Sequence, residues 1–145
     1  MIEQQYSITV PASAEHLWQT MLDEDNYRKW IRGFSPNSCY IGKWAEGETM
    51  YFLDPAMGGT RALIEKFDPY REIRVRHIAV VDPSRNEDIE SDMARKWCGT
   101  TEHYEFVEDG EGATTLTVHM HVDPEFESML RDGWHKSLQL LRELF

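Results

Sequence analysis

Hydrophobic and polar positions alternate from Ile2 to Val10. Ile2, Tyr6, Ile8 and Val10 share one side, with Gln4 as the exception, and Glu3, Gln5, Ser7 and Thr9 share the other. A period of two is that of a half-buried strand. Pro11 ends it. Ser13 then stands as N-cap before a short helix whose apolar stripe is Leu17, Trp18, Met21 and Leu22. Asp23-Glu24-Asp25-Asn26 opens a second short helix that ends around Trp30 and Ile31, before Gly33. Beyond Ser38 alternation returns in six runs: 39–41, 49–53, 60–67, 72–81, 96–107 and 114–122. Gly42, Glu46-Gly47, Met57-Gly58-Gly59, Asp68-Pro69 and Asp109-Gly110-Glu111-Gly112 separate most of them, and connections this short give an antiparallel meander.

Two segments depart from this rhythm. Residues 82–94 are acidic and rich in turn formers, too long for a tight hairpin, and read as a flap or lid or as a plain solvated loop. The carboxy-terminal segment carries the clearest helical pattern. Asp123-Pro124 supplies an N-cap and a first-turn proline. Phe126, Leu130, Trp134, Leu138, Leu141 and Phe145 then recur at spacings of three and four. A helix from Pro124 to the end would run about 33 Å. A seven-stranded meander twists strongly, and its apolar face must be covered by this one long helix. A straight rod against a curved sheet leaves space near one end, which the two short helices close in part. The expected fold is one α+β domain over residues 1–145 with a pocket between sheet and helix, mostly apolar with a few polar anchors.

Composition narrows the partners. The chain has 145 residues, with 26 acidic and 15 basic ones, for a formal charge of −11. That balance opposes phosphate neutralisation, so no nucleic acid is expected, and an anionic membrane surface would repel it. The amino-terminal residues lack the basic and apolar regions of an export signal. No stretch approaches the roughly 18 apolar residues needed to cross a bilayer. Cys39 and Cys98 stand far apart without a Cys-x-x-Cys motif, which reads first as two free thiols in a reducing cytoplasm, with a single disulfide as the alternative. A cytoplasmic protein without a cofactor is the expectation.

Alternation also selects the side chains that face the helix. Leu116, Val118, Met120 and Val122 form one inward set, Tyr104 and Phe106 another, and Ile73, Val75, His77 and Ala79 a third. The second set carries Cys98, Thr100 and Glu102 inward with it. His77 and Glu102 are thus polar groups among apolar ones, and a buried carboxylate is costly unless paired or protonated. They read as ligand anchors, as a general base and acid, or as groups that satisfy each other or meet solvent at the pocket mouth. Trp30 is placed at the mouth and Trp134 in the wall or core. Met50, Phe52, Met120, Met129 and Leu130 complete the lining, methionine suiting a cavity that accepts several apolar shapes. The alternative for each apolar residue is plain core. His119 and His121 share one face, and a hairpin register can set His103 opposite His119. That face is the outer one and no carboxylate has clear ligand spacing, so they read as surface histidines and no metal centre is expected. No nucleophile elbow occurs, and Gly58-Gly59 is a turn, with no Lys-Ser/Thr and no helix after it to make a phosphate cradle. No catalytic residue is assigned.

The order strand, two helices, six strands, long helix resembles the START-like (SRPBCC) superfamily and its helix-grip, birch-pollen-allergen-like fold. Local motifs agree: ITVPASAEHLWQTM, GKWAEGETMYF, IEKFDPYREIRVRH, GATTLTVHMHV and GWHKSLQLLRELF. Together they most resemble the branch named after the activator of heat-shock chaperone ATPase. They are fold motifs rather than catalytic ones. The resemblance implies a cavity for a small hydrophobic or amphipathic molecule. It also implies two alternatives: a cyclase, dehydratase or hydrolase with an acid–base pair in the cavity, or a module that contacts a chaperone. The chain lacks room for the second domain that eukaryotic activators carry, which counts against the last.

Overall fold

The computed structural model describes residues 1–145. The alternating amino-terminal run forms β1 (Ile2–Val10), followed by helices α1 (Ala14–Leu22) and α2 (Glu24–Ile31). Both helices start where the sequence offers a cap. The Ser13 hydroxyl accepts from the His16 amide, and the Asp23 carboxylate accepts from the Asn26 amide. The meander follows as β2 (Cys39–Ile41), β3 (Thr49–Asp54), β4 (Gly58–Asp68), β5 (Glu72–Val81), β6 (Glu87–Asp88), β7 (Thr101–Glu108) and β8 (Thr114–Val122). Helix α3 (Asp92–Trp97) stands between β6 and β7. The sheet order is β1-β8-β7-β5-β4-β3-β2, with β6 attached to β5. Every pairing is antiparallel.

Helix α4 (Glu127–Arg142) lies on the apolar face of this sheet. Its 16 residues span about 24 Å, less than the run from Pro124 to the end would give. The difference arises at both ends: Pro124–Phe126 winds as a tighter 3₁₀ turn capped by Asp123, and the helix stops at Arg142, three residues before Phe145. One continuous core joins Leu17, Met21 and Trp30 of the short helices, Ile64, Ile73, Leu116 and Val118 of the sheet, and Leu130, Trp134, Leu138 and Leu141 of α4. No helix is long and apolar enough to cross a membrane.

The 82–94 segment carries regular structure of its own, where the sequence pattern showed only turn formers. The Asp82 carboxylate accepts from the Ser84 and Asn86 amides and closes a turn. Glu87 and Asp88 then pair back onto Val81 and Val80. The alternating run expected over 96–107 is split as well: Lys96 and Trp97 end α3, and Cys98 lies outside the strand. A helix signature explains this, since Ser91 caps the Ala94 amide, Asp92 occupies the first turn, and Arg95 and Lys96 occupy the last. Helix α3 is fastened to the root of α4 by Lys96, 2.8 Å from Glu125, and by Trp97, edge-on to Phe126 at 5.1 Å.

Two glycines set how closely the helices approach. A Cβ on Gly33 would lie 2.5 Å from the Ser137 backbone nitrogen, and one on Gly133 would lie 2.3 Å from the Phe34 ring. The first obstacle is backbone and cannot yield locally. Gly33→Ala is therefore expected to destabilise the fold by about 1–3 kcal/mol through overpacking between α2 and α4. Urea unfolding checks this, and an unchanged midpoint would show that α4 is not held so tightly.

Candidate functional site

The register of three neighbouring strands builds the site. Val75 of β5 stands opposite Glu102 of β7, so His77, two residues further on, shares its face. On the other side His77 stands opposite Ala62 of β4, and Thr60 is two residues away. A register shift between Arg61 and Ala62, opposite Ala79 and His77, leaves Ile78 as the extra residue of a bulge. Bulges of this kind re-aim neighbouring side chains. The outcome is a chain of four polar groups on the inner face. Thr60 Oγ1 lies 2.9 Å from His77 Nδ1, His77 Nε2 lies 2.7 Å from Glu102 Oε1, and the Tyr104 hydroxyl donates to Glu102 Oε2 at 2.5 Å.

These groups line a cavity of about 380 Å³. Its remaining wall is mostly apolar: Tyr27, Phe34, Phe52, Trp97, Leu130 and Trp134. Met57 and Met129 stand at the rim, both well exposed. Ser35 bonds Asp54 at the same rim, and Asp54 also takes the Ala56 amide at 2.8 Å.

Electrostatics follow from burial. Burial pushes the Glu102 carboxyl up, but the His77 charge and the hydrogen bonds from His77 and Tyr104 outweigh it and hold the group below the ordinary value. Glu102 is therefore the carboxylate, and His77 Nε2–H is the donor to it. The Thr60 hydroxyl has one proton to give. Given to Nδ1, it leaves the imidazole neutral; given to the Ala79 carbonyl at 3.0 Å, it leaves Nδ1 to donate and the ring cationic. Burial, together with the Glu102 charge, drives the Tyr104 and Tyr27 phenols well above their usual range, so both stay protonated donors. Burial likewise raises the Cys39 and Cys98 thiols, and both cysteines are free. Asp54 is held low by Ser35 and by the Ala56 amide.

Of the residues the pattern assigned to the pocket, Phe52, His77, Glu102, Tyr104, Leu130 and Trp134 lie together on its wall. Met129 is at the rim. Trp30, Met50 and Met120 do not line it; each is at most 1% exposed within the core. Trp30 is drawn inward because its indole N–H donates to the Met21 carbonyl at 3.0 Å and its ring packs on Tyr27 and Trp134. The sequence reading missed Tyr27, Asp54, Thr60 and Trp97. The Ser91 cap signature would have placed Trp97 on a helix, whereas Thr60 depends on the bulge, for which no local signal exists.

The chain's relatives agree with this architecture. The family model described as "Activator of Hsp90 ATPase homolog 1-like protein" matches residues 11–145. No curated protein matches the sequence. Among solved structures, the Aha1 dimer from Colwellia psychrerythraea superposes with a TM-score of 0.72 at 20% identity, covering 99% of this chain and 95% of that one. Protein CV1439 from Chromobacterium violaceum superposes at 0.69 with 18% identity, covering 98% and 95%. DynU16, from the dynemicin biosynthetic locus, superposes at 0.71 with 15% identity, covering 97% of this chain and 46% of that one. Likeness at such identities establishes the fold alone. The family match, spanning nearly the whole length, establishes that the chain belongs to the Activator of Hsp90 ATPase homolog 1-like family, within the START-like superfamily that its motifs resemble.

Proposed function

We propose that this protein binds a small apolar or amphipathic molecule in the cavity between its sheet and α4. The observation that carries this reading is an apolar cavity whose polar wall is a single, internally satisfied chain, Thr60–His77–Glu102–Tyr104. Apolar burial would supply the driving force, at about 25 cal/mol per Å². The polar wall would select the ligand's head. Glu102 and the Tyr104 oxygen offer lone pairs, so a hydroxyl or amine that donates fits there, and a carboxylate is repelled by Glu102.

An acid–base enzyme is the second reading, and the His77–Glu102 pair on the cavity wall is what favours it. Binding is preferred because the cavity wall is mostly apolar. A chaperone partner remains an expectation from the family description. It concerns the outer surface rather than this cavity.

Three outcomes are expected. In a titration with a hydrophobic fluorescent probe, Leu130→Trp fills the cavity and abolishes binding while leaving the circular dichroism intact; undiminished binding by that variant would place the probe elsewhere. In competition at neutral pH, an alkanol displaces the probe better than the alkanoate of the same chain length. The reverse order would contradict the assignment of Glu102 as carboxylate. The third outcome concerns stability. A carboxyl held low in the folded state stabilises fully above its unfolded value of about 4.3 and loses that contribution as pH falls through its lower folded value. The gap in unfolding free energy between the parent and Glu102→Gln should therefore shrink as pH falls below about 4.3. A gap that widens on acidification would reverse the sign.

A further inference from the structure

The face of the sheet turned away from α4 carries a second cluster. His103 of β7 and His119 of β8 stand directly opposite each other in the register, with ring centroids 5.6 Å apart. Glu105, two residues along β7, points to the same side, and its Oε1 lies 2.6 Å from His119 Nε2 and 3.9 Å from His103 Nδ1. One ligand atom from each of the three lies within 4.8 Å of the others. In a tetrahedral zinc site, with bonds of about 2.1 Å, donor atoms stand ~3.4 Å apart, so small side-chain rotations close the set. From this geometry we propose that His103, Glu105 and His119 form a binding site for a borderline divalent transition ion, zinc above all, with water in the fourth position.

The independent support is a group behind the cluster. His103 Nε2 lies 2.9 Å from Glu72 Oε2, which leaves Nδ1 as the nitrogen that faces Glu105 and His119. A ligating imidazole is commonly oriented in this way, its far N–H bound to a carboxylate. Glu72 is itself fixed by Lys66 and stands opposite Glu105 across β5 and β7. Two imidazoles and a carboxylate suit zinc, copper or nickel better than magnesium or calcium. Arg74, opposite His103, opposes a dication, as do Lys66, paired with Glu72, and Arg76, paired with Glu65. Glu72, Glu105, Glu65 and Glu3 in and beside the same groove outnumber them. The ligands come from adjacent paired strands, so the frame is rigid before any ion arrives. An ion there would pin β7 to β8 and stabilise the folded state by mass action.

The test uses the full chain without a histidine tag, stripped with chelator and titrated with zinc at neutral pH against a chromophoric competitor. One saturable equivalent is expected, with a melting temperature that rises with free zinc. His103→Ala and His119→Ala should each lose that equivalent, and Cys39→Ser/Cys98→Ser should keep it. Glu72→Gln should keep the stoichiometry but weaken affinity ~10–100-fold. Nitrogen NMR of the imidazoles in the folded parent guards against misfolded variants, since zinc should shift His103 Nδ1 and His119 Nε2. No saturable equivalent, or one that persists in the His103→Ala/His119→Ala double variant, overturns the proposal.

Discussion

A buried imidazole that cannot be left unpaired organises this molecule. His77 is 2% exposed, inside a sheet face otherwise built from Ile73, Val75, Ala79 and Val81. Leaving either ring nitrogen without a partner there would cost about 1–3 kcal/mol. Both are met, one by Thr60 from β4 and one by Glu102 from β7. Those two partners fix the register of three strands around β5, and Tyr104 completes the chain. The cavity exists because this polar wall cannot be packed over with α4 side chains without burying a carboxylate against hydrocarbon.

The same constraint shapes what the wall offers. Both His77 nitrogens are held within the protein, one by Thr60 and one by Glu102, and each Glu102 oxygen already accepts a hydrogen bond. What remains for a guest is lone-pair capacity on Glu102 and Tyr104. On the proposed reading such a wall would orient a polar head and disfavour anions. The surface repeats the bias, since the chain carries a charge of −11.

Much of this was legible in the sequence, where local pattern and tertiary demand coincide. Alternation along 72–81 and 114–122 named the inward faces because a strand's side chains must alternate. Ser13, Asp23 and Asp123 marked turn and helix starts because their oxygens do cap the following amides. His77 and Glu102 stood out as polar residues at apolar positions. What was hidden depends on pairing between distant strands. The bulge at Ile78 brings Thr60 to His77, and no residue in either strand announces it. Trp30 went astray for a different reason: it shares the buried face of α2 with Tyr27, packs on Tyr27 and Trp134, and donates to the Met21 carbonyl. The sequence reading set His103 opposite His119 but passed over Glu105, two residues along β7 from His103 and diagonal to His119.

The state of the His77 ring in the presence of a guest decides the central claim most directly. Long-range nitrogen–proton NMR can follow both ring nitrogens while an apolar alcohol fills the cavity and shifts the signals of Phe52, Leu130 and Trp134. The expected result is an Nε2–H that stays bound to Glu102 and protected from exchange throughout. An imidazole that releases Glu102 and turns a free nitrogen to the guest would contradict a binding wall and indicate a catalytic one.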